Sequence, residues 1–203
     1  MLKERNLPRS TLTSDPDVRL MLRVKAGDGE AFRELFEKHA RAIMNFSYQF
    51  VGSRARAEEL TQEVFLQLHR AAPRYEPQAR FTTWLYRIAT NACLNEVRRP
   101  ERRFPTRPLE HERADSAERT EIAFADPHAE RGEDALAGRE LEDRIRQVLA
   151  ELPGQQRAAL LMSRVDGMSY GEVAEALECS ESAIKSLVFR ATATLRKQLA
   201  EFL

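Results

Sequence analysis

The sequence predicts an all-α protein made of two small helical domains joined by a flexible acidic linker. Three observations lead there. Only eight glycines occur in 203 residues, and no stretch alternates apolar and polar residues as a half-buried strand would. Apolar residues recur instead at helical spacing in several separate stretches. Between them, residues 101–135 carry Pro105, Pro108 and Pro127, few large apolar side chains and no helical period. A chain that is 42% hydrophobic and 32% charged suits helical domains with thin cores.

Ser14-Asp15-Pro16 places a capping residue before a proline at the first turn, so a first helix is expected from there to Gly27. A second, over about 29–51, carries Phe32, Leu35, Phe36, Ile43, Phe46 and Phe50 and stops at Gly52. Ser53 can cap a third, centred on AEELTQEVFLQLHRA (57–71). Pro73 and Pro77 break the chain before a fourth, FTTWLYRIATNACLNEVRR (81–99). The first domain then spans 14–100.

Two of these helices have a second face. At 100° per residue, Leu85, Ile88, Ala89 and Ala92 share one apolar side of the fourth helix. Arg87, Asn91, Asn95 and Arg98 form a stripe nearly opposite, with Trp84 on its edge. Residues 80–103 hold six arginines, Arg80 included, against two glutamates, a local balance of +4. Such a stripe suits single-stranded or duplex DNA. Trp84 has two readings, a core anchor or a stacking surface at that edge. On the third helix Glu58, Glu59, Gln62 and Glu63 cluster near the N-terminus, where acids favour the helix dipole. They equally suit docking to a basic partner, and composition does not choose.

The linker 101–135 carries ten acids against six arginines, a balance of −4. It reads as a solvated tether or as a functional acidic segment. A second domain follows over 136–201. RELEDRIRQVLAEL (139–152) ends at Pro153, and GQQRAALLMSRV (154–165) ends at Asp166-Gly167. SYGEVAEAL (169–177) opens with the Ser169/Glu172 capping-box spacing, and a last helix runs over about 181–200. Two helices across a three-residue turn, the second longer and basic, outline a helix-turn-helix. In the last helix Ile184, Val188, Ala191 and Leu195 would face Val173, Ala174 and Leu177. Ser182, Ser186, Phe189 and Arg190, flanked by Lys185 and Lys197, point away, and residues 181–199 balance at +3. Arg and Lys can address guanine edges or phosphates, Ser either, and an exposed Phe can meet a thymine methyl. A helical hairpin with solvated cations has the same outline.

Several classes are excluded. Lys+Arg and Asp+Glu are both 32, so the chain has no uniformly basic coat and any DNA-binding surface is local. Cys93 and Cys179 lack metal-ligand spacing and read as reduced thiols of a cytoplasmic protein. Residues 1–15 lack the apolar stretch of a secretion signal, and no apolar run is long enough to span a bilayer. No Ser/His/Asp set, metal cluster or Gly-rich phosphate loop is visible, so neither catalysis nor a cofactor is expected.

From about residue 16 to 200 the chain resembles a sigma-70-type RNA polymerase initiation factor of the extracytoplasmic-function (ECF) subgroup. AEELTQEVFLQLHRA resembles that family's polymerase-binding helix, and FTTWLYRIATNACLNEVRRP its promoter-melting, −10-reading helix. LPGQQRAALLMSRVDGMSYGEVAEALECSESAIKSLVFRATATLR resembles its −35-reading domain. The resemblance implies that Glu59, Gln62 and Glu63 contact the clamp helices of the polymerase β′ subunit, and that the second domain meets the β flap. It implies that Asn91 and Asn95 read the −10 element with Arg80, Trp84, Arg87 and Arg98 beside them, the last two on phosphates. The loop RYEPQARF (74–81) would hold a flipped base, and Lys185, Ser186, Phe189 and Arg190, next to Ser182, would enter the −35 major groove. Flipping costs a few kcal/mol, and stacking on an aromatic side chain returns about 1–3 kcal/mol per base.

The same resemblance implies an acidic linker threaded into the polymerase's basic RNA path, and an anti-sigma protein as inhibitor. Leu187 and Thr192 stand where a basic residue is common in the family, which bears on the −35 consensus rather than on the role. The competing reading is a stand-alone helix-turn-helix regulator. It needs neither an acidic docking helix nor a 35-residue linker.

Overall fold

Asp15 starts the fold in two places. One carboxylate oxygen accepts the Asp17 N–H at 2.9 Å and caps α1 (Pro16–Lys25). The other accepts the Phe81 N–H at 3.4 Å, at the mouth of α4 (Phe81–Arg98). The computed structural model describes residues 14–98 and 133–200, with side chains in the second stretch from 141 onward. Between α1 and α4 lie α2 (Gly29–Val51), α3 (Arg54–Ala71) and a 3₁₀ turn, Ala72–Arg74. The second stretch holds α5 (Glu133–Glu151), α6 (Gly154–Arg164), α7 (Tyr170–Ala176) and α8 (Glu181–Gln198). No strand occurs among the described residues.

The ends follow local chemistry. Asp28 caps α2 through the Glu30 and Ala31 N–H groups, and Gly52 closes it at φ 71°, a left-handed value that glycine adopts without penalty. Ser53 caps α3. Ser169 and Glu172 form the expected capping box on α7, and Ser180 caps α8. Helix α5 begins at Glu133, ahead of residue 139, where apolar spacing becomes legible. The rest of the acidic segment expected over 101–135, and residues 1–13, lie outside the described residues.

Helix α2 is the spine of the first domain. Leu35, Ile43, Phe46 and Phe50 on α2 are fully buried with Leu60 and Leu68 of α3 and Phe81 and Leu85 of α4. Burying each such side chain contributes roughly 1.5–3 kcal/mol. Phe46 meets the Tyr86 ring edge-on at 5.3 Å. Asp17 is buried too, and its carboxylate pairs with Lys38 and lies 3.0 Å from His39 Nε2. Burial holds the His39 pKa below its ordinary value, outweighing Asp17. Neutral His39 therefore donates to Asp17, and the pair bolts α1 to α2.

In the second domain Leu161 and Met162 of α6, Val173 and Ala174 of α7, and Ile184, Val188 and Ala191 of α8 are buried together. Leu195 and Leu177 pack at the edge. The turn into α8 passes through Glu178, which holds φ 54°, a left-handed value that costs a non-glycine residue on the order of 1 kcal/mol.

The two units dock rather than hang apart, and their buried residues form one cluster. Helix α7 lies against α4, while α5 and α6 lie against α2. Arg157 of α6, 3% exposed, donates to the carbonyls of Phe50, Ala150 and Leu152, and its guanidinium sits 5.0 Å over the Phe50 ring. Arg146 of α5 lies 5.8 Å over the Tyr48 ring of α2. The N-terminus of α6 comes so close to α4 that a Cβ on Gly154 would stand 2.4 Å from Leu94 Cδ2.

Asp166, after α6, faces Tyr86 of α4. Burial pushes its carboxyl up to about 6, and burial with this carboxylate beside it raises the Tyr86 phenol further. Because the folded pKa lies above the ordinary 3.8, the folded state favours the protonated acid. That contribution is complete at low pH and is lost as pH rises through about 6. Asp166→Asn removes the dependence. The variant's stability advantage over wild type in urea titrations is expected to be absent near the ordinary carboxylate pKa and to grow as pH rises to neutrality. An advantage that stays flat with pH would show that Asp166 is not held protonated.

Candidate nucleic-acid interface

Helix α4 presents its two faces as the spacing predicts. Leu85, Ala89 and Ala92 are buried, with Ile88 packed at the edge. Asn91, Asn95 and Arg98 are exposed, Arg87 is half-buried, and Arg80 is exposed just before the helix. Trp84 is half-buried against the core, its ring 4.8 Å from Tyr75 and 6.1 Å from Phe81. Within the loop before α4, Tyr75 is buried and its carbonyl accepts from Lys25 Nζ at 2.8 Å.

The stripe does not face open solvent along its whole length. Arg80 Nη1 donates to Glu172 Oε1 at 2.9 Å. Arg87 Nη2 donates to the Glu175 carbonyl at 2.7 Å, and its Nη1 lies 3.2 Å from Glu178 Oε1. Beyond Arg87, a cleft between α4 and α7 is lined by Asn91, Leu94, Gln155 and Leu177. The exposed end of the stripe is thus its amide-rich half.

On α8 the polar face is free. Ser182, Lys185, Ser186, Phe189 and Arg190 are all exposed, Phe189 at 75%. Ser186 Oγ donates to the Ser182 carbonyl at 3.0 Å. Phe189 and Arg190 also border a groove against Leu152 and Pro153 at the junction of α5 and α6. A long, exposed aromatic and cationic face on a buried apolar stripe can enter a major groove.

The acidic patch of α3 is organised by a residue that charge counting overlooks. Glu59, Gln62 and Glu63 are exposed. Arg56, its side chain 14% exposed, pairs with Glu59 and with Glu96 of α4, and its Nη2 lies 3.9 Å from Glu63. Hydrogen bonding to Glu96 raises the Arg56 pKa still further. One turn past Gln62, Leu66 is 53% exposed, an apolar centre among the acids. Its place in the sequence, in phase with Glu59, Gln62 and Glu63 rather than with Leu60, Val64 and Leu68, was the available signal. Cys93 is free and buried, and burial pushes its thiol up to about 12, far from a reactive thiolate.

Two helical units, one with an amide and arginine stripe and one with an exposed cationic and aromatic helix face, carry surfaces of the kind that meet DNA. Comparison with known proteins carries this further. The family model for sigma-70 region 2 matches residues 35–103, and that for sigma-70 region 4 matches residues 142–195. The chain is 32% identical over 192 residues to the RNA polymerase sigma-H factor of Pseudomonas aeruginosa, covering 95% of this chain and 98% of the relative. It is 30% identical to the ECF RNA polymerase sigma-E factor of Escherichia coli K12, covering 85% and 88%. SigW of Bacillus subtilis is 29% identical, over 88% and 94%. The chain belongs to the sigma-70 family of RNA polymerase sigma factors, in its ECF subgroup, and its role is promoter-specific initiation of transcription.

The fold agrees with solved structures. CnrH, in complex with the cytosolic domain of CnrY, superposes with a TM-score of 0.65 at 21% identity, over 90% of this chain and 96% of that one. The sigma factor RpoE of Bartonella quintana, in complex with the anti-sigma factor NepR, gives 0.57 at 19% identity, over 83% and 96%. The match to region 2 over α2–α4 disfavours a stand-alone helix-turn-helix regulator.

Arg56 yields a stability prediction. Glu96 has an 8% exposed side chain, so Arg56→Met removes a charge-assisted hydrogen bond from a largely covered carboxylate. The expected loss is about 1–3 kcal/mol in urea unfolding, part of it recovered in the double variant with Glu96→Gln. Equal losses in the single and double variants would show that the pair is not coupled.

Proposed function

We propose that the division of labour along the chain is region by region that of a two-domain initiation factor. Residues 14–100 bind core polymerase and the −10 element, 101–135 tether, and 136–201 bind the −35 element. In this reading Glu59, Gln62 and Glu63 meet the clamp helices of β′, and the second domain meets the β flap. Asn91 and Asn95 read −10 bases, Arg80, Arg87 and Arg98 hold phosphates, and Trp84 supports the edge where the strands part. Ser182, Lys185, Ser186, Phe189 and Arg190 enter the −35 major groove.

The observation that carries this reading is the pair of faces. Asn91, Asn95 and Arg98 stand in solvent on a helix whose other side is core, and the α8 set stands in solvent on another. Both supply donors and acceptors of the kind base edges accept. The mechanism is differential binding: melting −10 DNA costs a few kcal/mol per flipped base, recovered by base stacking and amide contacts. No covalent chemistry is involved.

The sigma chains of the two solved relatives are held by CnrY or by NepR, and an inhibitor of that kind is proposed for this chain. No described helix is long and apolar enough to cross a membrane, which accords with a cytoplasmic place beside polymerase.

Purified chain added to core polymerase is expected to yield run-off transcript from a cognate promoter. A chain that shifts duplex DNA tightly by itself and never comigrates with core overturns the reading. Asn91→Ala with Asn95→Ala should impair open-complex formation, scored by permanganate footprinting, while core binding is retained. Loss of core binding instead would reassign that face. Arg190→Ala should cost about 1–3 kcal/mol of promoter affinity at one −35 position. A loss uniform over all −35 sequences would make Arg190 a phosphate contact.

A further inference from the structure

Helix α1 lies ahead of every residue assigned to DNA or polymerase, yet its two ends hold the segment that leads into α4. At its last residue, Lys25 Nζ donates to the Tyr75 carbonyl at 2.8 Å. Ahead of its first, the Asp15 carboxylate that caps α1 also accepts the Phe81 N–H at 3.4 Å. One aspartate thus serves the N-termini of two helices. Helix α1 is itself fixed to the domain. Val18 and Met21 are fully buried, and the Asp17 carboxylate lies against Lys38 and His39 of α2.

Tyr75 and Phe81 are thereby the fixed points of the segment between them. The Tyr75 N–H donates to the Ala72 carbonyl at 3.1 Å, and Lys25 completes its backbone pairing. The Tyr75 hydroxyl is buried and finds no partner among the described residues, so packing and these two backbone bonds set its place. Phe81 is fully buried, its ring 5.3 Å from that of His39. Both aromatic rings flank Trp84, at 4.8 and 6.1 Å. Between the anchors Glu76, Gln78 and Arg80 are exposed, while Pro77 and Ala79 are half-buried. A short segment held at both ends presents its exposed residues with little conformational freedom left to lose on binding.

We propose that Lys25 and Asp15 are positioning residues for promoter opening: by gripping Tyr75 and Phe81 they preset the intervening loop and the Trp84 edge to receive a base that leaves the −10 duplex. The proposal rests on the reading of residues 74–81 as the loop that holds a flipped base. Neither residue touches the strand, and each acts through the loop. Extruding a base costs a few kcal/mol, and a loop already in place does not add its own ordering to that cost. Loss of Lys25 therefore weakens capture of the extruded base. Contacts to phosphate and to core polymerase, made elsewhere on α3 and α4, stay as they are.

The test uses holoenzyme assembled from the full chain and core polymerase, with fluorescent promoter probes whose non-template strand is single-stranded over the −10 element. The probes are intact or lack one base at a time, the sugar-phosphate backbone being kept. Wild type is expected to favour the intact probe over the one that is abasic at the flipped position. Lys25→Met should lower that preference about fivefold, the scale of one partly exposed charged hydrogen bond, and Lys25→Arg should restore most of it. Asp15→Ser keeps a side chain that can cap α1 but shortens the reach to Phe81, and should act in the same direction. Affinity for core and for the abasic probe should match wild type, a pattern that a general loss of stability does not produce.

Wild type that discriminates between probes, with Lys25→Met discriminating equally well, overturns the positioning role alone. Equal losses on intact and abasic probes overturn it too, since the bond then serves only the fold. If Lys25→Met fails to assemble with core, Asp15→Ser decides by the same comparison. Wild type that shows no preference at any position overturns the reading of the 74–81 loop, and the proposal with it.

Discussion

A buried guanidinium, paired with no carboxylate among the described residues, ties the two halves of this protein where their apolar cores meet. Stripping water from a charge costs several kcal/mol unless new partners replace it. Arg157 finds its partners at the C-terminal ends of α2 and α5, where unpaired carbonyls and the helix dipoles concentrate negative potential. The Phe50 ring beneath the guanidinium adds a cation–π contact. One side chain thus satisfies orphan acceptors of two helices and ties α6 to the spine of the first domain. Burial lowers its pKa from the ordinary value, though such a base stays charged. The same desolvation makes the contact demanding: it is worth having only while all three elements meet.

That junction sets what the DNA-facing helices can do. With α6 seated on α2, α7 falls along α4, where the Glu172 carboxylate reaches Arg80 and the Glu175 carbonyl and the Glu178 carboxylate of the following turn reach Arg87. Helix α8, next in the chain, keeps its polar face exposed, with Phe189 and Arg190 at the rim of a groove beside Leu152 and Pro153. One docking geometry therefore leaves one reading face open and half of the other covered. A net charge of zero follows the same logic: positive stripes on α4 and α8 are answered by acids on α3 and α7 rather than by a basic coat.

Much of the fold was legible because local chemistry and burial agree. Asp15-Pro16, Gly52, Ser53 and the Ser169/Glu172 pair mark helix ends that the structure reproduces. Apolar spacing in α4 and α8 sorted core from solvent, and each residue assigned to the polar faces is at least partly exposed. Less was legible where a charged residue serves the interior. Arg56 and Arg157 look like ordinary surface cations in the sequence, yet Arg56 is half-buried and Arg157 buried, against partners 40 and 107 residues away. Asp17 was hidden in the same way, since its partners Lys38 and His39 lie a helix away.

By itself the sequence determined the helical class, most of the helix boundaries, the two polar stripes and the family, because each depends on residues within one or two turns of one another or on their order along the chain. Only the tertiary structure decided which cations are free. Arg80 and Arg87 on one side and Asn91, Asn95 and Arg98 on the other share a stripe, and nothing local distinguishes them. Their difference comes from α7, more than 80 residues away, brought within hydrogen-bond reach by the Arg157 junction. Electrostatic pairing falls off over a few ångströms, so it follows contacts in space, and helical period alone does not encode those contacts.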